Sequence, residues 1–284
     1  MERIRNFEAL TSYLRDKGVR KRVAVVCPHD TSSREAIAKA EEAGFVEAIV
    51  VDYPDPRTAA KMAVEMVRGG KADILMKGLV NSDILLRAVL DRDSGLLPHG
   101  RTLTHLAVAE VPQYPHLLFY TDAAVIPYPT HEQRTQQVAY IADLCRQFGI
   151  AEPRIALIHC SEKVDARHFP FTEGYPLIAE QARQGRFGPC IVDGTLDLKT
   201  SLSAESLHTK GIASPIEGEA DALVFPDIES GNLFHKTISL FGHARIAAVL
   251  AGATAPVVLP SRSDSTASKF YSLALATIQS VSKP

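Results

Sequence analysis

The 284-residue chain is short of charge of either sign: 31 Lys and Arg against 33 Asp and Glu leave a net charge of −2. No long run of one sign makes an electrostatic footprint, so nucleic acid is excluded as an expected partner. Long apolar runs are missing as well. A membrane span needs about 18 uninterrupted apolar residues, whereas the uncharged stretch Ile246 to Pro260 is shorter and carries Gly252 and Pro256. The N-terminal MERIRNFEAL has no apolar core and no small-residue cleavage site, which predicts a cytoplasmic chain. Cysteines are few, and Cys27, Cys145, Cys160 and Cys190 never fall in C-x-x-C spacing, so neither a zinc nor a redox site is expected. G-x-G-x-x-G, G-x-x-x-x-G-K-S/T, G-x-S-x-G and H-E-x-x-H are all absent, which disfavours the usual dinucleotide folds, P-loop enzymes and zincins.

What is there is an alternation. Short Val- and Ile-rich runs interleave with segments of helical period, the pattern of a mostly parallel sheet covered by helices on both faces. RVAVVCP from Arg22 reads as a strand, SSREAIAKAEEAG as a helix capped by Ser and closed at Gly44, and VEAIVVD as the next strand. A second helix, strand ADILMKG and a helix capped by Ser82 follow. LTHLAVAEVP and HLLFYTDAAVI then come in succession around Pro112 and Pro115, close enough for an antiparallel pair. Helix and strand alternate again from Thr130, with a long helix expected from about Asn232 through Ala251, which would leave His243 mid-helix. Strand PVVLPS and a last helix close the chain. About nine strands result, in two α/β domains: residues 1–100 with 257–284, and residues 101–256.

Open parallel sheets place ligands beyond the carboxyl ends of their strands, and three polar clusters stand there. Lys77, Gly78, Asn81 and Ser82 follow ADILM, with Arg87 further along the helix. Gly78 would let the backbone approach a ligand, and the helix start would offer N–H groups to an anion; a plain strand-to-helix turn fits equally. Asp227, Gly231, Asn232 and Lys236 follow ADALVF, either as a polar-ligand site or as a capped turn, with Asp227 a base or a cap. Ser261, Arg262, Ser263, Asp264, Ser265 and Thr266 follow PVVLP. Arg262 offers a planar fork for two phosphate oxygens, and the hydroxyls and helix start add neutral donors, so this cluster suits a dianion better than a metal. His131 and His159, lacking visible partners, read as structural.

Four stretches together resemble the phosphate acetyl- and butyryltransferases, the butyryl branch above all: VFPDIESGNLFHK (Val224 to Lys236), LPSRSDSTASK (Leu259 to Lys269), ILMKGLVNSDILLRAVL (Ile74 to Leu90) and THLAVAEVPQYPHLLFYTDAA (Thr104 to Ala124). The resemblance implies two three-layer α/β/α domains of the isocitrate/isopropylmalate dehydrogenase-like class, with an active-site cleft between them. It implies reversible transfer of a short acyl group, butyryl or branched, from acyl-CoA to inorganic phosphate. Coenzyme A and phosphate are then substrates, with no metal and no tightly bound cofactor. A homodimer or higher homo-oligomer and an acyl kinase acting next are further implications. By the S-R match, Ser261 and Arg262 are the catalytic candidates, and Arg87 would bind phosphate. Where acetyltransferases have a proposed base beyond the S-R pair this chain has Ser268, which leaves Asp264 as a substitute base or a helix cap. Two other readings share the architecture: a metal-dependent NAD(P) dehydrogenase, for which no convincing set of Asp ligands exists, and a noncatalytic acyl-CoA or phosphate sensor, which would have no need of Arg262.

Overall fold

The computed structural model describes residues 2–281 and divides them into two compact units. Ile4–Leu103 and residues 245–281 form a terminal unit; Thr104–Ala244, with Glu2 and Arg3, form a central one.

The terminal unit opens with α1 (Phe7–Asp16), β1 (Lys21–Val26), α2 (Thr31–Glu42), β2 (Val46–Val51), α3 (Pro56–Arg68), β3 (Ile74–Lys77) and α4 (Ser82–Val89). Four consecutive buried positions in β1 and all four in β3 explain their unbroken apolar character, since a parallel strand is covered on both faces. The caps differ from those read in the sequence. Asp30, not a serine, caps α2, its carboxylate accepting the Ser33 N–H at 2.8 Å. Asn81, not Ser82, stands at the cap of α4, and its side chain makes no capping bond.

The central unit contains β4 (Thr104–Glu110), β5 (Leu118–Thr121), α5 (His131–Gln147), β6 (Arg154–Ile158), α6 (Gly174–Arg183), β7 (Ile191–Leu196), α7 (Leu198–Leu202), α8 (Ala204–Thr209), β8 (Ala222–Val224) and α9 (Ile228–Leu240). Its strands run in the order β4-β5-β8-β6-β7, with β4 antiparallel to β5 and the rest parallel. The helix α5 begins at a reciprocal cap in which Thr130 and Gln133 satisfy each other's backbone N–H groups.

The chain then returns to the terminal unit as β9 (Arg245–Ala251), β10 (Val257–Val258) and α10 (Thr266–Val281). The long helix expected through Ala251 therefore stops at Leu240. His243 lies not mid-helix but in the left-handed region at φ 48°, and Ile246, Ala247, Val249 and Leu250 are buried on a strand. Pairing of β9 with β10 decides the matter, because an Ala- and Val-rich run has no strong preference of its own. It also moves the division between the units to residue 244, where the sequence pattern placed it at 256.

In the terminal unit the order is β2-β1-β3-β10-β9, parallel except for β9. The chain turns outward from β1 to β2 and then crosses back to β3, so the strand order reverses between β1 and β3. Right-handed crossovers put α2 and α3 on opposite faces; α10 packs with α2, and α3 with α4. No helix among the described residues is long and apolar enough to cross a membrane.

Two close contacts fix this end of the sheet. A Cβ on Gly78 would sit against the carbonyl oxygens of Val26 and Cys27, so only glycine lets the chain leave β3 while its N–H bonds Val26 O at 2.8 Å. The glycine thus serves the approach of two strands, not of a ligand. Lys269 of α10 is 2% exposed; its Nζ donates to Asp30 Oδ1 at 2.7 Å, Ser32 Oγ at 2.8 Å and Ser33 Oγ at 3.0 Å, which uses all three of its protons. Burial alone would raise the Asp30 carboxyl, but the bonds from Lys269, Ser33 and Ser32 outweigh it and hold the group far below the ordinary carboxylate range.

Gly78→Ala should cost about 3 kcal/mol of stability in urea unfolding, because the clash is with backbone rather than with a side chain able to swing away. Lys269→Met should cost about 3 kcal/mol, because the half-buried Asp30 carboxylate loses its counter-ion. The Asp30 contribution is fully present above the unfolded carboxylate value of 3.8 and is lost as pH falls through the lower folded value. Stability measured from pH 6 downward should therefore decline below that point in the wild-type protein, and Lys269→Met should remove much of the decline.

Candidate anion site at the strand ends of the terminal unit

Polar groups gather where β1, β3 and β10 end. The turn after β10 is built by its own side chains: Asp264 Oδ2 accepts the Ser261 N–H at 2.8 Å, and the Asp264 N–H returns a bond to Ser261 O at 3.2 Å. Asp264 is therefore occupied in shaping the turn, while Ser265 caps α10 by accepting the Ser268 N–H at 3.1 Å. Ser261 and Arg262 are left exposed, Ser261 Oγ lying 3.1 Å from Ser263 Oγ. The Arg262 guanidinium donates to Asn81 Oδ1, which explains why the α4 cap residue does no capping. Two of the sequence clusters, from β3 and from β10, thus meet through one hydrogen bond across 181 positions.

Beneath them lies Lys77, 3% exposed, its Nζ bonded among the described residues to Gly78 O and Val80 O, each at 3.3 Å. Burial, then the positive charges of Lys269 and Arg262, push its ammonium below the ordinary lysine range against the pull of Asp30 and Asp264. Lys269, Arg262 and the depressed amine of Lys77 thus stand with two carboxylates, and the exposed Arg262 guanidinium is the charge placed to meet an anion. Lys269 and Asp30 are the members that sequence reasoning missed. Lys269 stands inside a stretch quoted for its family pattern, but nothing in that pattern shows the side chain to be buried.

Arg87 stands apart from this group. It lines a groove of about 390 Å³ with Arg57, Lys61, Glu65, Asp83 and Asp91, and neither Lys77 nor Arg262 reaches that groove. Ser82 is exposed at the first position of α4. Five residues on, Arg87 is turned roughly 140° around the helix from it, toward α3. Next to Val80 a separate cavity of about 540 Å³ is lined by Cys27, His29, Asp52, Tyr53, Pro54 and Leu79. His29 Nε2 lies 2.9 Å from Asp52 Oδ2 there, and burial pushes the Cys27 thiol up.

In the central unit the cluster after β8 proves to be a docking device. Asp227 caps α9 by accepting the Ser230 N–H at 2.8 Å, and Asn232 Nδ2 donates to Ala123 O at 2.9 Å. A Cβ on Gly231 would strike Asp122 O. These residues seat α9 on the turn after β5, and Asn232 and Lys236 are exposed. Asp122, 1% exposed, accepts Thr104 Oγ1 at 2.8 Å and the Ala124 and Val125 N–H groups at 2.7 and 2.9 Å, while burial raises its carboxyl. Beside it burial, then the Lys236 charge, pull the His105 imidazole down to about 4. His159 lies buried at the end of β6 among Phe169 and Phe171, with its imidazole pushed down by burial.

Residues 20–277 match the family model for phosphate acetyl/butaryl transferase. Phosphate butyryltransferase of Clostridium acetobutylicum is 34% identical over 97% of this chain and 98% of its own length. Phosphate acetyltransferase of Thermotoga maritima is 31% identical over 95% of this chain and 98% of its own. The crystal structure of a branched-chain phosphotransacylase from Enterococcus faecalis V583 superposes with a TM-score of 0.82 at 30% identity, covering 91% of this chain and 98% of that one. Matched along nearly its whole length by sequence and by fold, the chain belongs to the phosphate acetyl/butaryl transferase family.

Proposed function

We propose that the protein transfers a short acyl group, butyryl or branched, reversibly between coenzyme A and inorganic phosphate, with the phosphoryl group held at the strand ends of the terminal unit. The observation that carries this reading is the Arg262–Asn81 contact, because it fixes an exposed guanidinium beside the Ser261 hydroxyl at the strand ends. Attack of the thiol on an acyl phosphate places negative charge on the carbonyl oxygen and then on the departing phosphate. Arg262 and the Ser261 hydroxyl are donors already in place for that charge, so little reorganisation is needed as it develops. Asn81 holds the guanidinium, and Asp264 holds the turn that presents both groups. Asp264 is thereby a positioning residue rather than a base. Ser82 adds a hydroxyl beside Asn81.

The central unit's Asp227, Gly231 and Asn232 act through structure, and the exposed Lys236 offers a charge to a substrate phosphate. Arg87 is assigned no part in the phosphoryl site. The cavity beside Val80 lies within the size range of small-molecule pockets and offers room for part of an organic substrate. Family likeness supports a cytoplasmic homo-oligomer whose acyl phosphate product is consumed by an acyl kinase.

Phosphate-dependent release of free thiol should be seen from butyryl-, isobutyryl- or isovaleryl-CoA, and more slowly from acetyl-CoA. Arg262→Ala should lower kcat about 100-fold or more with an unchanged circular dichroism spectrum, as expected for loss of a donor to developing charge. Asn81→Ala should fall between the two enzymes. Thiol release independent of phosphate, or an Arg262→Ala enzyme with wild-type kinetics, would remove the assignment.

A further inference from the structure

The terminal unit buries two lysines at one end of the sheet, and they are held in opposite ways. Lys269 spends its three protons on a carboxylate and two hydroxyls, the partner set of a permanent ammonium. Lys77 makes no ion pair among the described residues and meets two carbonyl oxygens. Two carbonyl acceptors satisfy both N–H bonds of a neutral amine, and no carboxylate among the described residues lies within bonding distance to hold the ammonium. The charged groups that face it are Lys269 on α10, Arg262 and Asp264 on the turn after β10, and Asp30 at the start of α2; both cations favour the neutral form.

Resting on the acyl transfer proposed above, we infer that Lys77 is the proton carrier of the reaction, taking the proton from the coenzyme A thiol and giving it to the departing phosphate. The balance of the step requires such a group. The thiol loses its proton as the S–C bond forms, and the C–O bond of the acyl phosphate breaks with its electron pair going to phosphate. An acyl phosphate dianion expelled without a proton would leave as the trianion, an unstable product near neutral pH. The proton that the thiol releases is the one that the phosphate needs. A single amine lying below Arg262 can receive it and return it, ending neutral as it began. In the opposite direction the same amine takes the proton of hydrogen phosphate and protonates the leaving thiolate. Asp264 is bound to the Ser261 N–H and Asp30 to Lys269, so neither carboxylate is as free to do this.

The test compares wild type with Lys77→Met, Lys77→Arg and Lys77→Ala, assayed in both directions with the acyl-CoA that wild type prefers. Desulfo-CoA and inorganic phosphate report binding without chemistry. Loss of a proton carrier should lower kcat about 100-fold or more in both Lys77→Met and Lys77→Arg while the Kd of either probe moves by less than about threefold. Lys77→Ala should regain rate with added small primary amines, more with the more basic ones at equal concentration of free base. A Lys77→Arg enzyme that turns over like wild type would overturn the inference, since arginine keeps the charge but carries no proton away. So would a loss confined to phosphate binding, or an alanine variant that no amine rescues. Should Lys77→Met fail to fold, the arginine variant and the rescue decide. A wild type inactive on every acyl-CoA would instead overturn the acyl transfer itself.

Discussion

The buried contact between Lys269 and Asp30 is the constraint on which the terminal unit depends. It joins the first turn of the last helix to the cap of α2, so that the end of β1 and the start of α10 share one charge pair. An isolated buried charge would be ruinous, whereas this one has its counter-ion and two hydroxyls. Once α10 is pinned there, the turn Ser261–Asp264 that feeds it has little freedom left. Its position then decides where Arg262 projects, and Asn81 meets the guanidinium because Gly78 has brought the end of β3 hard against β1.

Burial first, and then the Lys269 charge, gives Lys77 its character. A cation fully neutralised by its own partners still repels at short range, and in a dry surrounding the repulsion is poorly screened. Lys269 therefore acts on the site without touching anything that would bind there. The central unit shows the complementary use of burial. Asp122 sinks a carboxylate among backbone N–H groups to shape the turn after β5, and α9 is seated on that turn by Gly231 and Asn232.

Much of this fold is legible in the sequence. The β1 and β3 runs announce themselves because both faces are covered, and α5 because a long stretch of helical character starts at Thr130. The stretch after Leu240 is not legible, since RIAAVLA suits helix and strand alike and only its pairing with β10 chooses. Of the candidate site, the Ser261–Arg262 turn and the Lys77–Ser82 segment stand out as strand-end clusters, but their meeting is set by tertiary structure. The motif Asp227–Gly231–Asn232 shows the limit of spacing arguments, because residues suited to a ligand are equally suited to docking a helix. Arg87 faces a different groove, because five residues along a helix turn a side chain well away from the helix start.

The terminal unit is made from two stretches of chain with Thr104–Ala244 of the central unit between them. A ribosome therefore delivers β1, β2 and β3 long before β10 exists to cover the open side of β3. Until then that side is a row of unpaired N–H and C=O groups, the kind of edge that recruits strands from other chains. The central unit has nearly all of its sequence in hand and can fold as synthesis proceeds, whereas the half-built sheet must wait for the C-terminal segment. Arg262 and Lys269 arrive together in that last segment, so completion of the fold and installation of the chemistry are a single event.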